Sequence, residues 1–406
     1  MFPVNKNVVY KNNTIQQCVG KMRTTYGLDI LVNYINSKGK LPNVKYLAIK
    51  PIYDKHTWNW SKKHHYIDFI RYIPLKYIKM MQRKELVLIF DNAQEAFDPI
   101  NEILFWETIR HNIKRYRIDP DYFWYLSSNV NDRRYSPGFR VYSEHFWSYG
   151  IAVDDVDKAF EETVNNTIKT FDKERALFSS LNGQDKIHRH WWHYKLFKSK
   201  LDQYAMISNP RVNFTAQRQL VELGESDFHT KRWAATTPRT VDRDPDPSKN
   251  HGWVNNQQYL KKDYAILDAS AFHIALETYI EPGYNNKLLS EKTWKPYARF
   301  IPTIVLSIND TSKHLSQLGY DTLYSVFGLE ETWDKHEIER RYTEALNAVD
   351  ITCKKLNAMT NTQIIDWKFK KEKVLKQNYT ILQSNNINCK WRDEFIENME
   401  TVYENT

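Results

Sequence analysis

Short apolar runs alternate with helical stripes along the first part of the chain. Leu86–Phe90 has the length and composition of a strand that is buried on both faces. Asp98 followed by Pro99 marks the start of a helix. The apolar stripe of this helix consists of Ile100, Ile103, Leu104, Ile109 and Ile113. Further strands are predicted at Tyr122–Leu126 and at about residues 145–151, so the pattern indicates an α/β fold.

The second half of the chain repeats this alternation. Strands are predicted at Tyr204–Ser208, Phe272–Leu276 and Ile301–Leu306, and a helix is predicted at Thr215–Leu223. A chain of 406 residues exceeds the size of one ordinary core. We therefore expect two domains, with a boundary near residue 200.

Three other regions have weaker patterns. Residues 154–200 are predicted to be helical, and residues 351–406 carry lysine-rich helices such as Trp367–Val374. Residues 229–262 have little apolar periodicity, and long loops in compact domains are usually functional or disordered. Basic and aromatic residues are interleaved in this last region, which favours contact with nucleic acid. Nearby aspartates dilute its positive charge, so a plain loop is the alternative.

The segment Leu289–Pro296 carries the most informative local pattern, because it lies between two apolar runs. It predicts a polar loop and a short helix. Ser290 is a good N-cap, so the helix dipole and the free amides of the first turn suit an anion such as a nucleotide diphosphate. Lys292 adds a full positive charge, and Glu291 can accept hydrogen bonds from ribose hydroxyls. The alternative is an ordinary capped surface helix; Pro296, which removes a helical donor, and the buried flanking strands favour a site.

The composition describes a folded protein with an excess of positive charge. Hydrophobic residues make up 41% of the chain, charged residues 26% and aromatic residues 14%, which excludes a disordered protein. The formal net charge is +9. Since a small nucleotide needs only a few basic groups, the surplus favours a large anionic partner such as nucleic acid.

Membrane and cysteine signals are weak in this sequence. No apolar run approaches the roughly 20 residues that cross a bilayer, and the N-terminus has no apolar signal region. Cys18, Cys353 and Cys389 are far apart in sequence and form no metal-spaced pair. We therefore expect no membrane partner, a cytoplasmic location and no cysteine chemistry.

The run His188–His193 combines three histidines with two tryptophans. Spacings of two and three do not line one face of a helix, and no carboxylate or thiol cluster joins the histidines, so no metal site is predicted. A basic-aromatic patch that contacts nucleic acid and a plain packed tryptophan pair are the remaining interpretations, and the second is favoured.

Several motifs of the second half resemble a known family. They are Phe272–Thr278, Ser290–Pro296, Ile301–Leu306, Leu315–Tyr320 and the pair Arg340 and Arg341. Over about residues 204–345 they resemble the C-terminal half of phage-encoded GT-B-like glycosyltransferases, including enzymes of the 5-hydroxymethylcytosine DNA glycosyltransferase kind. The order Glu-Thr, Glu-Lys-Thr, Lys-Pro is similar to that of fucosyltransferase-like enzymes. The family usually has a glycine near the end of the last strand, where this chain has Ser307 and Ile308.

The resemblance implies a GT-B-like α/β fold, in which two Rossmann-like domains have a cleft between them and C-terminal helices cross back over the domains. Residues 1–200 would form the acceptor-binding domain, residues 201–345 the nucleotide-sugar-binding domain and residues 346–406 the crossing helices. The implied donor is a nucleotide-diphosphate sugar, which we expect to be a UDP-sugar. No tightly bound cofactor and no metal are expected.

The same resemblance implies which residues bind the donor. They are Arg211, Arg218, Glu277, Thr278, Ser290, Glu291, Lys292 and Thr293. Arg211 and Arg218 resemble the arginines that lie near the donor diphosphate in the family, a task that suits the planar fork of the guanidinium. For Arg218 the alternative is a surface arginine on a solvated helix.

Transfer by direct displacement also needs a base, because an acceptor hydroxyl is a poor nucleophile until a carboxylate takes its proton. Ligands of open α/β sheets bind beyond the carboxyl ends of the strands. Asp91 and Glu95 follow the strand Leu86–Phe90 and are the predicted catalytic residues, with Asp91 placed first. Either carboxylate could instead cap a helix or pair with an arginine.

The predicted function is glucosyl or arabinosyl transfer to 5-hydroxymethylcytosine in phage DNA, in the cytoplasm of the host cell. A basic and aromatic surface would bind the DNA, and this binding should weaken steeply with salt. One alternative is a glycosyltransferase that acts on a saccharide or protein acceptor, which would hardly respond to salt. Another is a non-catalytic DNA-binding protein that kept the fold. A nuclease is disfavoured, because the sequence has no compact cluster of carboxylates.

Overall fold

A computed structural model describes the protein over residues 46–49, 70, 73, 75–92, 99–128, 138–143, 148, 151–152, 154–181, 187–208, 214–236, 257–277, 289–387, 393–398 and 401. The chain divides into two compact units. Unit 1 comprises residues 1–149, 283–288 and 388–406, and unit 2 comprises residues 150–282 and 289–387.

Unit 1 contains a parallel sheet. Its elements in chain order are β1 (Tyr46–Ile49), α1 (Leu75–Gln82), β2 (Val87–Asn92), α2 (Pro99–Arg115), β3 (Phe123–Ser127) and β4 (Arg140–Ser143). The strand order is β1-β2-β3-β4, and every neighbouring pair is parallel. Parallel neighbours need crossover connections, which explains why α1 separates β1 from β2 and α2 separates β2 from β3 in the sequence.

The core of unit 1 forms where α2 packs on the sheet. Trp106 and Ile109 of α2 are buried, and the Trp106 ring meets Tyr125 of β3 edge-on with ring centroids 5.0 Å apart. The C-terminal part of the chain adds to this unit, because Phe395 packs edge-on against Trp124 with centroids 4.8 Å apart. The strand predicted at Leu86–Phe90 and the helix predicted after it are confirmed.

The last strand of this sheet lies earlier than the pattern predicted. β4 pairs with Trp124–Ser127 of β3, whereas Ser148 lies in a 3-10 turn and Ile151 in a turn. The strand predicted at about residues 145–151 was therefore wrong at these described positions. Only Val141 and Tyr142 form the apolar centre of β4, and so short a pair gives a weak periodic signal.

Unit 2 contains a second parallel sheet with helices between its strands. Its elements in chain order are α3 (Val156–Thr170), β5 (Phe178–Leu181), α4 (Ile187–Lys198), β6 (Ala205–Ser208), α5 (Phe214–Glu222), α6 (Asp227–Thr236), α7 (Gln257–Asp268), β7 (Phe272–Leu276), α8 (Glu291–Ala298), β8 (Thr303–Leu306), α9 (Thr311–Gln317), α10 (Ile338–Asn357), α11 (Asn361–Phe369) and α12 (Glu372–Ile387). The strand order is β6-β5-β7-β8, and all three pairs are parallel. This arrangement is compatible with a Rossmann-like fold.

The strand order of unit 2 creates a topological switch point. From β5 the chain moves to one side of the sheet to form β6 and then to the other side to form β7. The crossover connections therefore diverge between the carboxyl ends of β5 and β7. Open α/β sheets bind their ligands at such a point, so this edge is where a site is expected.

β5 and α4 precede residue 200 but belong to unit 2, because β5 pairs with both β6 and β7. The division of the chain between Tyr149 and Gly150 thus differs from the boundary that the sequence suggested. The helical prediction for residues 154–200 missed β5. This strand has four residues, and Ser179 and Ser180 at its centre lack the branched or aromatic side chains that mark strands.

Two helix predictions also need correction. The helix predicted at Trp367–Val374 spans the end of α11 and the start of α12, with a break after Phe369. The stretch 229–262, which looked irregular, begins inside α6 and ends inside α7; residues 237–256 lie outside the described residues. No helix in the described part of the chain is both long and apolar enough to cross a membrane.

The core of unit 2 lies on the face of the sheet that α10 and α11 cover. Phe178 of β5 and Phe272 of β7 stack with ring centroids 5.1 Å apart. Val349 of α10 and Ile364 of α11 are buried in the same cluster. The strand predicted at Phe272–Leu276 is confirmed, and the strand predicted at Ile301–Leu306 begins two residues later, at Thr303. Near-continuous apolar runs of this kind are typical of strands buried on both faces.

A buried ammonium closes the carboxyl end of α7. Lys368 of α11 donates to the hydroxyl of Thr167 at 3.0 Å and to the carbonyl oxygens of Leu267 at 3.3 Å and Asp268 at 3.0 Å. The last carbonyls of a helix lack partners within the helix, and a cation suits the negative end of the helix dipole. Burial lowers the pKa of Lys368 to about 7, with the charge of Asp268 opposing the change and that of Arg299 adding to it.

The stability of the protein should therefore rise with pH above about 7. The unfolded chain keeps the Lys368 proton up to the ordinary lysine pKa of about 10.4, whereas the folded chain releases it earlier. In this window the unfolded state binds more protons, so the free energy of unfolding rises by at most ~1.4 kcal/mol per pH unit. Urea unfolding at several pH values between 7 and 10 tests this, with Lys368→Met expected to give a flatter profile.

The matched control for this experiment is Lys370→Met, since Lys370 lies two residues away and is exposed. This variant should keep the profile of the unmodified protein. An unchanged profile in Lys368→Met would contradict the assigned shift.

Candidate functional site

The switch point of unit 2 is occupied by the first turn of α4. The ring of His188 donates from Nε2 to the carbonyl oxygen of Glu277 at 2.9 Å, and Arg189 donates from Nη2 to the carbonyl oxygen of Leu276 at 3.2 Å. Both bonds join the helix that follows β5 to the carboxyl end of β7. Arg189 is fully buried, and this burial lowers its pKa although Glu277 and Glu291 oppose the change.

The side chain of Glu277 links the end of β7 to the start of α8. One carboxylate oxygen, Oε1, accepts from the backbone N–H of Ser290 at 3.0 Å and from the hydroxyl of Thr293 at 2.6 Å. Glu277 has no exposed surface, so these two donors give charge-assisted bonds in a medium of low dielectric. The carboxylate therefore fixes the position of the first turn of α8 relative to the sheet.

The first turn of α8 has the capped form that the sequence predicted. Ser290 is the N-cap, and its side-chain oxygen accepts from the N–H of Lys292 at 3.4 Å. The indole N–H of Trp294 donates to the carbonyl of Leu289 at 3.1 Å, which fixes the chain as it enters the helix. Pro296 lies inside the helix at its sixth position. The predicted strand, short helix and strand are confirmed, and residues 278–288 of the predicted polar loop lie outside the described residues.

A sheltered ion pair lies in this turn. The ammonium of Lys292 is 2.8 Å from Oε1 of Glu291 and 3.3 Å from the hydroxyl of Ser290. Only 13% of the Glu291 side chain and 10% of the Lys292 side chain are exposed. Burial by itself would raise the pKa of Glu291, but the charges of Lys292 and Lys295 outweigh it and lower the pKa to about 2. Glu291 is therefore an ionised acceptor at every physiological pH.

Among the described residues, the charges around the turn are matched in number. Lys295 pairs with Asp263 of α7, and Arg189 interacts electrostatically with Glu277 and Glu291. The three cations are Arg189, Lys292 and Lys295, and the three anions are Asp263, Glu277 and Glu291. The formal charges of these six groups cancel, so the turn presents charged hydrogen-bonding groups without a net charge.

Several buried oxygens at this edge of the sheet have no hydrogen-bond partner among the described residues. They are Oγ of Ser208 at the end of β6, Oε2 of Glu277 beyond β7 and Oγ of Ser307 beyond β8. Glu277 and Ser307 are neighbours, because the N–H of Glu277 donates to Leu306 at 2.9 Å and extends the pairing of β7 with β8. Buried polar groups without protein partners are uncommon, and an accepting oxygen here suits a ligand that donates hydrogens.

Five of the predicted site residues lie together at this position: Glu277, Ser290, Glu291, Lys292 and Thr293. Arg218 is exposed on α5 and pairs with Glu222 one turn away at 2.9 Å, so its contact is with a residue outside this group. Arg211, Thr278 and Glu95 lie outside the described residues. The backbone of Asp91 is part of β2 opposite Leu126, and the side chain of Asp91 is not among those described.

The sequence pattern missed Arg189, His188, Asp263 and Lys295 as parts of the site. In the run His188–His193, Trp192 is buried with its ring edge-on to Tyr342, in agreement with a packed tryptophan. No group of three or more potential metal ligands occurs in the described part of the chain. Arg189 could have been found from its place in the first turn after a strand, had β5 been recognised.

Replacement of Glu277 should destabilise unit 2. Glu277→Ala leaves the Ser290 amide and the Thr293 hydroxyl buried without an acceptor, which we expect to lower the free energy of unfolding by ~3 kcal/mol. Urea unfolding measures this loss. Glu222→Ala is the matched control, because Glu222 forms an exposed pair whose removal should cost less than ~1 kcal/mol. Equal losses in the two variants would contradict the role given to Glu277.

Comparisons with models of protein families, with curated proteins and with solved structures find no match for this chain. The resemblance to GT-B-like glycosyltransferases therefore stays a prediction. The chemistry of the residues at the carboxyl ends of the unit 2 strands is the basis for a functional proposal.

Proposed function

We propose that the protein is a glycosyltransferase that moves a sugar from a nucleotide-diphosphate sugar to a hydroxyl acceptor. The observation that carries this proposal is the contact of Glu277 with Ser290 and Thr293, which places a capped helix start with a sheltered Glu-Lys pair beside a topological switch point. Nucleotide ligands of open α/β sheets bind at such points, with their phosphates near helix N-termini.

The first turn of α8 offers groups for both halves of a nucleoside diphosphate. The ammonium of Lys292 carries three hydrogens, and Glu291 and Ser290 accept two hydrogen bonds from it, so a phosphate oxygen could take another. The ionised carboxylate of Glu291 would accept from the ribose hydroxyls. Oε2 of Glu277, which has no hydrogen-bond partner in the described part of the chain, would accept one more hydrogen from the ligand.

The proposed reaction is a direct displacement at the anomeric carbon. The acceptor oxygen forms a bond to that carbon while the bond to the nucleotide diphosphate breaks, and the acceptor proton passes to a carboxylate. Lys292 and the dipole of α8 offset the charge that develops on the leaving diphosphate. Asp91 and Glu95 of unit 1 remain our candidates for the base. A GT-B arrangement, in which the two parallel-sheet units share one cleft, is part of the same proposal.

The proposed acceptor is 5-hydroxymethylcytosine in DNA, with a UDP-sugar as donor and the cytoplasm as the place of reaction. The net charge of +9 supports this choice, because the charged groups around α8 are already matched in number and leave the surplus for another anion. A hydroxymethyl group in duplex DNA is reached in the major groove or after the base is flipped out of the stack.

Donor binding should depend on the Glu291–Lys292 pair. Glu291→Gln and Lys292→Met are each expected to weaken the binding of a UDP-sugar by ~10-fold, as expected for the loss of one hydrogen bond to a charged group. Isothermal titration calorimetry with UDP, GDP and their sugars measures this. Since the pKa of Glu291 is about 2, its contribution should not change between about pH 5 and pH 8.

The control variants for this experiment are Glu107→Gln and Arg110→Met, which break a half-exposed pair on α2. They should leave the dissociation constant unchanged. If the unmodified protein binds neither a nucleoside diphosphate nor a nucleotide sugar, the proposed function is wrong.

Transfer is tested by incubating hydroxymethylcytosine-containing DNA with the protein and a panel of nucleotide sugars, followed by mass spectrometry of the digested nucleosides. We expect a mass gain on 5-hydroxymethyl-2′-deoxycytidine, and the size of this gain separates a pentose from a hexose. Donor binding without any mass gain would exclude this acceptor and favour a saccharide or a protein.

A further inference from the structure

An exposed aromatic side chain stands beside cations on the outer face of α6. The ring of Phe228 is 69% exposed, and Leu223 in the turn between α5 and α6 is 59% exposed. His229, Lys231 and Arg232 are exposed on the same helix. Few large apolar side chains among the described residues are this exposed. The position of Phe228 next to basic groups therefore indicates a binding surface.

This face belongs to a well-packed part of unit 2. On the inner side of α6, Trp233 is buried and meets Tyr194 of α4 edge-on, with ring centroids 5.9 Å apart. Leu220 of α5 is buried in the same cluster. The hydroxyl of Thr230 donates to the carbonyl of Asp227 at 2.9 Å in the first turn. Phe228 is therefore exposed because the helix places it there, and its backbone is anchored.

The side chains on this face have the spacing of one helical surface. Phe228 and Lys231 are three positions apart, and Phe228 and Arg232 are four apart, so all three share one side of α6. Lys231 pairs with Asp227 at 2.6 Å, and both side chains are more than half exposed. An exposed pair of this kind is worth little in water, so a phosphate could replace the carboxylate at small cost.

We propose that this face, defined by Phe228, Lys231 and Arg232, binds the nucleic acid acceptor through an unstacked base. The ring of Phe228 stacks on the base, and Lys231 and Arg232 contact the flanking phosphates. Single-stranded or flipped nucleotides present both groups together, whereas duplex DNA keeps its bases stacked. The inference rests on the proposed function. It adds a surface on unit 2 that contacts the nucleic acid acceptor.

The test is fluorescence anisotropy of a labelled single-stranded oligonucleotide, titrated with the full-length protein at several salt concentrations. Phe228→Ala should weaken binding by ~10-fold with no change in the salt dependence, because stacking releases no counterions. Lys231→Gln should reduce the slope of log K against log salt by ~0.7, the value for one phosphate contact on a single strand.

Helix α10 provides a matched control surface. Ile351 is 64% exposed there, and Asp350 pairs with Lys354 one turn away at 2.6 Å, as Asp227 does with Lys231. Ile351→Ala thus removes a large exposed apolar side chain, and Lys354→Gln removes a lysine from an exposed ion pair. In this part of α10 the exposed apolar side chain is aliphatic and not aromatic. Neither variant should change the affinity or the salt slope.

Two results would overturn the inference. The first is an unchanged affinity in Phe228→Ala, which would instead fit a protein partner on this face. The second is that the unmodified protein binds nucleotide sugars but no oligonucleotide. This result would agree with donor binding and exclude a nucleic-acid-binding role for the α6 face. Loss of nucleotide-sugar binding alone would defeat the proposed function while the oligonucleotide result stands. Because Phe228 is exposed, thermal unfolding midpoints should match among all variants.

Discussion

The contact between the Glu277 carboxylate and the first turn of α8 is the constraint on which the site depends. A single oxygen accepts from Ser290 and Thr293, so the helix start cannot shift without leaving two buried donors unsatisfied. The Glu291–Lys292 pair lies between these two residues in the chain. The position of the first turn of α8 relative to the end of β7 is therefore set by one side chain that has no exposed surface.

Paired charges offset the free energy of desolvation of the buried ions around the first turn of α8. Ions removed from water cost several kcal/mol each unless partners and hydrogen bonds replace the solvent. Three cations meet three carboxylates around α8, and the lowered pKa of Glu291 shows that the cations near it outweigh its burial. An incoming diphosphate would compete with Glu291 for Lys292, so donor binding would exchange one ion pair for another.

The sequence predicted the parts of the structure whose signals are local. Phe272–Leu276 is a continuous apolar run, and Ser290 precedes a helix with a carboxylate and an ammonium in its first turn. The sequence did not predict β5, because this strand has only four residues and two of them are serines. Arg189 contacts the carbonyl oxygen of Leu276, 87 positions away, and no spacing rule connects residues so distant. Local chemistry was readable, whereas long-range pairing was not.

The core of unit 1 includes Phe395, a residue that is synthesised after all of unit 2. This residue is fully buried against Trp124 and Tyr142, and residues 388–406 belong to unit 1, whereas unit 2 ends at Ile387. As the chain leaves the ribosome, every residue of unit 2 emerges before the aromatic plug of unit 1. Unit 1, which includes residues 1–149, can thus be completed only after unit 2 has been synthesised, and loss of the segment that carries Phe395 leaves Trp124 and Tyr142 without this packing partner.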